Sequence, residues 1–211
     1  MAYHEPLLKA RLAELRPTQI TVGHAEVVIK RAQWAAMKPK ERMRQLAAHC
    51  FPAVKGPKGR FYIVDHHHLG LALREEGIDT VWLMQLADLS EVEGEVFWRM
   101  MEFHRWAHPF DHKGKRRGYD AIPESIDGLR DDPYRSLAGC VRNAGGYAKD
   151  TQPYAEFLWA DFFRSRIELA EIQPSRKGHL VPDVVARSVA MASGEAARYL
   201  PGWAGATPPP R

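Results

Sequence analysis

The chain has 211 residues, 45% of them apolar, with a formal net charge of +4, a balance that excludes a disordered polyelectrolyte and is ample for a packed core. No stretch approaches the ~18 consecutive apolar residues of a membrane span, and the first residues, with His4, Glu5 and Lys9, lack the apolar block of a secretion signal, so the cytoplasm is the expected location. The mildly basic charge suits anionic partners without demanding them, and Cys50 and Cys140 stand far apart without CxxC spacing, against both a zinc ribbon and a disulfide scaffold.

Taken in chain order, Gln19 to Lys30 is β-branched and alternating around Gly23 and reads as strand. Ala35 to His49 reads as a helix with Met43, Leu46 and Ala47 on one face. Val54 to Val64 reads as two short apolar strands around a Gly-Pro-Lys-Gly turn. Leu69, Ala72 and Leu73 then repeat at helical spacing, Gly77 ends the segment, and Asp65 is placed to cap its start. Thr80 to Met84 is the next strand. Ser90 to Glu93 forms a capping box opening a helix with Val92, Val96, Phe97, Met100 and Met101 on its buried side, ended by Pro109. The charged, glycine-rich stretch from Asp111 to Asp132 reads as a loop, and helices follow over Tyr134 to Val141, Tyr154 to Ile172 and Val181 to Leu200. The expected organisation is an α/β domain over 1–112, a loop or linker over 113–132, a helical extension over 133–200 and a disordered tail over 201–211. The fold class is α+β, a small mixed β-sheet unit with a helical C-terminal half.

The chemistry concentrates at Asp65-His66-His67-His68, where the hairpin hands over to a helix. A helix start presents backbone N–H groups that attract anions, phosphate above all. Imidazoles there can donate to phosphate, accept a proton or ligate a metal. Successive helical residues are about 100° apart, so three adjacent rings cannot all enter one core. Glu26 and Lys30 share one face if the segment is strand, supplying a general base and a phosphate counter-charge; if it is helix they form an i,i+4 pair. Gln19 can add an amide contact. Asp132 before Pro133 resembles a cap with proline at the first helical position, placing Arg135 and Ser136 in the first turn, with Arg135 either turned to an anion or paired with Asp161 or Glu156. His104, His108 and His112 offer a metal reading, with His104 and His108 i,i+4 on one helix face and Asp111 just beyond its end, but His104 also continues the apolar stripe and no HExxH motif is present, so no metal site is assigned.

These features together resemble the ParB/sulfiredoxin superfamily, whose signature is a hairpin followed by Asp-Gly-His-His-Arg or a relative of it. One branch, the "putative ParB-like nuclease" family, is matched by Leu15-Arg16-Pro17-Thr18-Gln19, by Val22-Gly23, Glu26-Val27 and Lys30, by Gly56-Pro57 through Tyr62, and by Asp65 to His68. Asp132 to Ala138, Gly145-Gly146-Tyr147 and Phe157 to Phe162 extend the match. The chain departs from the wider superfamily where His66 replaces Gly and Leu69 replaces Arg, an arginine that binds phosphate in nucleotide-using relatives. The resemblance implies a ParB/sulfiredoxin-like unit with a phosphate- or nucleotide-binding pocket and phosphodiester or phosphoryl-transfer chemistry. It casts His67, His68 and Glu26 as catalytic, and Gln19, Lys30, Asp65, His66, Arg135 and Ser136 as phosphate- or substrate-binding.

A kinase for a free amino acid and a non-catalytic ligand- or DNA-binding module are the alternatives. No basic recognition helix follows the signature, so the expected partner is a phosphate-containing ligand or nucleic acid bound without sequence specificity. A nucleotide or a divalent metal is the cofactor such chemistry would use, and the residues single out neither.

Overall fold

The structure is a computed structural model and describes residues 7–205. The chain divides into two compact units. The first comprises residues up to Thr21, Lys30–Asp111 and Arg116–Arg130; the second comprises Val22–Ile29, His112–Lys115 and the chain from Asp131 onward.

The first unit is built on a four-stranded mixed sheet of β1 (Leu8–Arg11), β3 (Phe51–Lys55), β4 (Phe61–Ile63) and β5 (Thr80–Asp88), in the order β1-β5-β3-β4. The hairpin pairs antiparallel, with Ala53 opposite Ile63 and Lys55 opposite Phe61, and β3 runs parallel to β5. A parallel pair needs a crossover, and α3 (His67–Glu75) supplies it. The segment between Ile63 and α3 therefore stands at the end of a strand, where a helix begins. Phe51, Ala53, Ile63, Ala72, Leu73 and Leu83 are buried in this unit. A second apolar cluster joins Val54 and Tyr62 of the hairpin to Phe97 and Met101 of α4 (Gly94–Phe103) and to Ala107.

The hairpin, α3 with Gly77 at its end, and the strand from Thr80 follow the sequence reading; β1 does not, because four residues with alternate burial give too short a pattern. The reading of Gln19 to Lys30 as strand is corrected. Only Thr21–Val22 is strand (β2), and His24–Ala36 is a helix, α1, beginning in the second unit and belonging to the first from Lys30. The run Val27-Val28-Ile29 favours strand locally, but tertiary groups override that preference. The Asp131 carboxylate accepts from the His24 N–H at 2.8 Å and the Ser136 hydroxyl from the Ala25 N–H at 3.2 Å. Both caps lie more than a hundred residues away in sequence, invisible to a local window. A Cβ on Gly23 would stand 2.7 Å from the Ser136 backbone nitrogen, so only glycine lets the chain approach there.

Further corrections follow the same logic. The helix read over Ala35–His49 is α2 (Pro39–Ala48), and it buries none of its residues; Met43 is exposed. Ser90 does not cap α4. Its N–H and hydroxyl both bond the Asp88 carboxylate, and α4 starts at Gly94 with Phe97 and Met101 buried and Val96 exposed. The stretch 113–132 contains two 3-10 turns, Tyr119–Ala121 and Ile126–Gly128, and reaches strand β6 (Arg130–Asp131).

The second unit is helical, with α5 (Pro133–Asn143), α6 (Ala155–Arg164) and α7 (Pro182–Ser193) around a core of Leu137, Val141, Tyr147, Trp159, Phe163 and Val184. The second and third helices are shorter than read. The stretches after them form 3-10 turns at Leu169–Glu171 and Glu195–Ala197. Asp132 caps α5 as expected, accepting from the Tyr134 N–H at 3.0 Å with proline following. Of the tail, 206–211 lies outside the described residues. Pro201 and Gly202 are held in this unit, their carbonyls accepting from the Trp159 indole and the Ala148 N–H.

Candidate functional site at the hairpin-to-helix junction

At the junction the cap position of α3 is taken by His66, one residue later than Asp65, the expected cap. Asp65 is exposed and its carboxylate accepts from the His66 N–H at 2.6 Å. His66 has φ +65° and no side-chain capping bond. The left-handed region costs a residue with a Cβ about 1–2 kcal/mol, which explains why a glycine suits this position. The His66 ring stands edge-on to Phe51 at 5.5 Å and to His49 at 6.4 Å.

His67 is buried, at 4% exposure. Its Nε2 accepts a hydrogen bond from the Thr18 N–H at 3.1 Å. An acceptor nitrogen carries no proton, so this imidazole is the neutral Nδ1–H form while the bond lasts. Thr18 is fixed on three sides: its hydroxyl donates to the Ile63 carbonyl at 2.9 Å, and its own carbonyl accepts from the His108 N–H at 2.8 Å. His68, the third imidazole, is half-buried. The three rings thus have three environments, one of them committed to the fold.

Gln19, beside Thr18, is buried and its amide donates to the Thr21 carbonyl at 2.9 Å. Lys30 is half-buried on α1 in the first unit, while Glu26, one helical turn earlier, belongs to the second. Arg135 and Ser136 are also in the second unit. Arg135 is buried, lies 3.6 Å over the Phe157 ring and is 4.0 Å from the Glu156 carboxylate; Ser136 accepts from Ala25. An Arg135–Glu156 ion pair, one of the pairings offered by the sequence, is thus present. Arg142 also reaches Glu156. Burial, reinforced by the Glu26 charge, pushes the Cys140 thiol above its usual range, which disfavours the nucleophilic thiolate.

The histidines further on do not share a helix. His104 follows the last residue of α4, is exposed, and stacks on Trp106 at 4.5 Å and 23°. The apolar stripe ends before it. His108 stacks on Phe110 at 4.2 Å. Among the described residues no group of three or more His, Cys, Asp or Glu side chains is arranged to hold a metal ion.

Sequence reasoning missed a cleft of about 830 Å³ in the first unit, lined by Arg16, Arg60, Arg99 and Arg116 with Trp98 and Tyr119. Arg16, in Leu15-Arg16-Pro17-Thr18-Gln19, and Arg60, in the hairpin, lie in segments that the sequence singles out, but nothing there joins them to Trp98 and Tyr119. The Arg16 N–H donates to the Phe61 carbonyl and its carbonyl accepts from the Ile63 N–H, each at 2.9 Å. The one motif therefore braces the hairpin through Arg16 and the histidine junction through Thr18. Two of the lining residues, Arg116 and Tyr119, bond Glu102: burial raises this carboxyl's proton affinity, but those bonds outweigh it and hold the group below the usual carboxylate range.

No helix among the described residues is long and apolar enough to cross a membrane. No curated protein matches the chain. The chain is similar to the crystal structure of protein Atu1540 from Agrobacterium tumefaciens, with 43% identity and a TM-score of 0.86 over 95% of this chain and 98% of that one. The family model described as "Putative ParB-like nuclease" matches residues 8–165, a span that includes the hairpin, the three histidines and the first two helices of the second unit. With that match over most of its length, the chain belongs to the "Putative ParB-like nuclease" family.

Proposed function

We propose that this protein performs phosphate-ester chemistry, cleaving or transferring a phosphoryl group of a nucleic acid or nucleotide, at the junction between β4 and α3. The observation that carries the reading is the difference in environment among the three imidazoles. His67 is occupied by the Thr18 N–H, whereas His66 and His68 are only partly buried. The positive end of the α3 dipole favours an anion beside them. The family description supports the same chemistry.

In hydrolysis, one imidazole of the pair takes a proton from water as its oxygen attacks phosphorus. The phosphorus–oxygen bond to the leaving group then breaks, and the other imidazole, protonated, returns a proton to the departing oxygen. His67 serves as the brace that orients its neighbours. Lys30, in the same unit, is suited to offset charge on the phosphoryl oxygens, and Gln19 to hold the adjoining backbone. Binding is expected to be insensitive to sequence, because phosphate contacts carry no base information.

The test is a side-by-side assay of folded wild type, His66→Ala and His68→Ala on nucleic acid, on nucleotides, and on nucleotide with free amino acids. Loss of an acid/base should lower the rate about 100- to 10,000-fold. Unchanged rates in both variants would refute the assignment. A wild type inert toward every substrate would replace it with a ligand sensor.

A further inference from the structure

The arginine cleft of the first unit is a second place to look for a ligand. Three of its four arginines are held weakly. Arg60 is exposed and pairs with no carboxylate among the described residues. Among the described residues Arg99 pairs only with Glu95, one turn away, both side chains more than 70% exposed. Arg16 is mostly buried, but its partner Glu124, at 3.3 Å, is 86% exposed. Exposed pairs of this kind yield readily to a better anion. Arg16 and Arg60 both line the cleft together with Tyr62.

The opposite character stands beside them. Trp98 and Tyr119 are stacked at 5.7 Å and 13°, with Tyr62 edge-on to Trp98 at 5.5 Å. This pair is braced before any ligand arrives: the Tyr119 hydroxyl donates to Glu102, and Arg116 grips the same carboxylate with bonds of 2.7 and 3.2 Å. Aromatic surface next to arginine is the combination that holds a base by its face and a phosphate by its charge. The cleft's volume, about 830 Å³, falls in the range of small-ligand sites. Three carboxylates, Glu95, Asp120 and Glu124, share its rim. They make the cleft unlike a uniformly positive trough for duplex DNA and better suited to one phosphate with neighbouring hydroxyl groups. In a duplex the base faces are stacked and unavailable.

We propose that this cleft binds an unpaired nucleotide unit, its phosphate held by Arg16, Arg60 and Arg99 and its base laid against the Trp98–Tyr119 pair. The inference rests on the phosphate-ligand reading given above, and adds the recognition site and the single-stranded substrate class. The unit can come from a free mononucleotide or from a single strand.

The experiment is fluorescence anisotropy of a short labelled DNA strand of mixed sequence, with its duplex and with thymidine monophosphate as competitors. It is run on wild type, Arg60→Ala, Arg99→Ala, Tyr119→Ala and His66→Ala. Expected is binding to the single strand, with the duplex a poor competitor. Arg60→Ala and Arg99→Ala, both at exposed positions, should each weaken binding and flatten its salt dependence by roughly one phosphate contact. Tyr119→Ala should weaken it about tenfold. Competition by the mononucleotide at similar concentration would assign the cleft to a free nucleotide, and its failure to a strand. Single-strand binding that both arginine variants retain in full would overturn the cleft while leaving the junction chemistry standing. Absence of binding to every probe would overturn both.

Discussion

The backbone N–H of Thr18 and the Nε2 of His67 meet at 3.1 Å inside the protein, tying the Leu15-Arg16-Pro17-Thr18-Gln19 segment to the first residue of α3. The bond explains why a histidine serves at a site with 4% exposure. A neutral imidazole offers an acceptor on one edge and a donor on the other, with an apolar face between.

Replacing His67 should therefore register as instability. His67→Ala leaves the Thr18 N–H without its acceptor and opens a cavity, a loss of about 2–4 kcal/mol. His67→Gln, whose amide oxygen falls near the Nε2 position, should recover part of it. Denaturant unfolding measures both. Equal stability of wild type and His67→Ala would show that the bond contributes nothing.

In the second unit, Asp132 is 1% exposed, caps α5, and receives bonds of 2.8 and 3.2 Å from Arg164. Arg164 also lies 4.7 Å over Tyr134 and donates to the His112 carbonyl. Asp132→Ala removes the cap and strands a partly buried guanidinium, so a loss of about 3–5 kcal/mol is expected. Asp161→Ala, which removes a half-exposed partner of the same arginine, should cost less than about 1 kcal/mol. The two melting curves compared directly check the contrast.

Tyr147 gives a pH dependence with a definite sign. Burial raises the affinity of its phenol for the proton, and the hydroxyl donates to the Ala138 carbonyl at 2.9 Å. The unfolded chain releases that proton near pH 10, while the folded chain still holds it. Stability from this group is whole below about pH 10 and lost as pH rises toward the folded value. Tyr147→Phe should be modestly less stable at neutral pH, by about 1 kcal/mol, with a flatter alkaline decline. An unchanged alkaline slope would contradict this.

The parts of the fold that local pattern could reveal were the hairpin, α3, β5, α5 and the Asp132 cap, where turn residues, periodicity and a capping residue agree over a few positions. What local pattern could not show was α1, because Val27, Val28 and Ile29 read as strand and its caps Asp131 and Ser136 come from a distant segment. The same holds for the candidate site. Asp65 to His68 stood out as a cluster, but nothing in the sequence marks His67 as the buried member, since its acceptor role depends on Thr18. Arg60, Trp98 and Tyr119 are scattered through the chain and meet only in the folded first unit.

Binding to nucleic acid should depend on salt and not on sequence. Lys113, Lys115, Arg116 and Arg117 are exposed outside any α-helix, and Arg116 and Arg117 already pair with Glu102 and Asp111. No basic face is presented for the major groove by that stretch. A defined site that outcompetes scrambled DNA by orders of magnitude would overturn this expectation.

The most direct test of the proposed chemistry is to watch the imidazoles themselves. Protein labelled with nitrogen-15 at histidine, its ring signals assigned with His66→Ala, His67→Gln and His68→Ala, is titrated with a short single-stranded oligonucleotide. The account predicts that the His66 and His68 ring signals shift on binding, that His67 keeps the neutral Nδ1–H pattern throughout, and that exposed His104 and His179 stay unmoved. Oligonucleotide binding that leaves both His66 and His68 unshifted would contradict it.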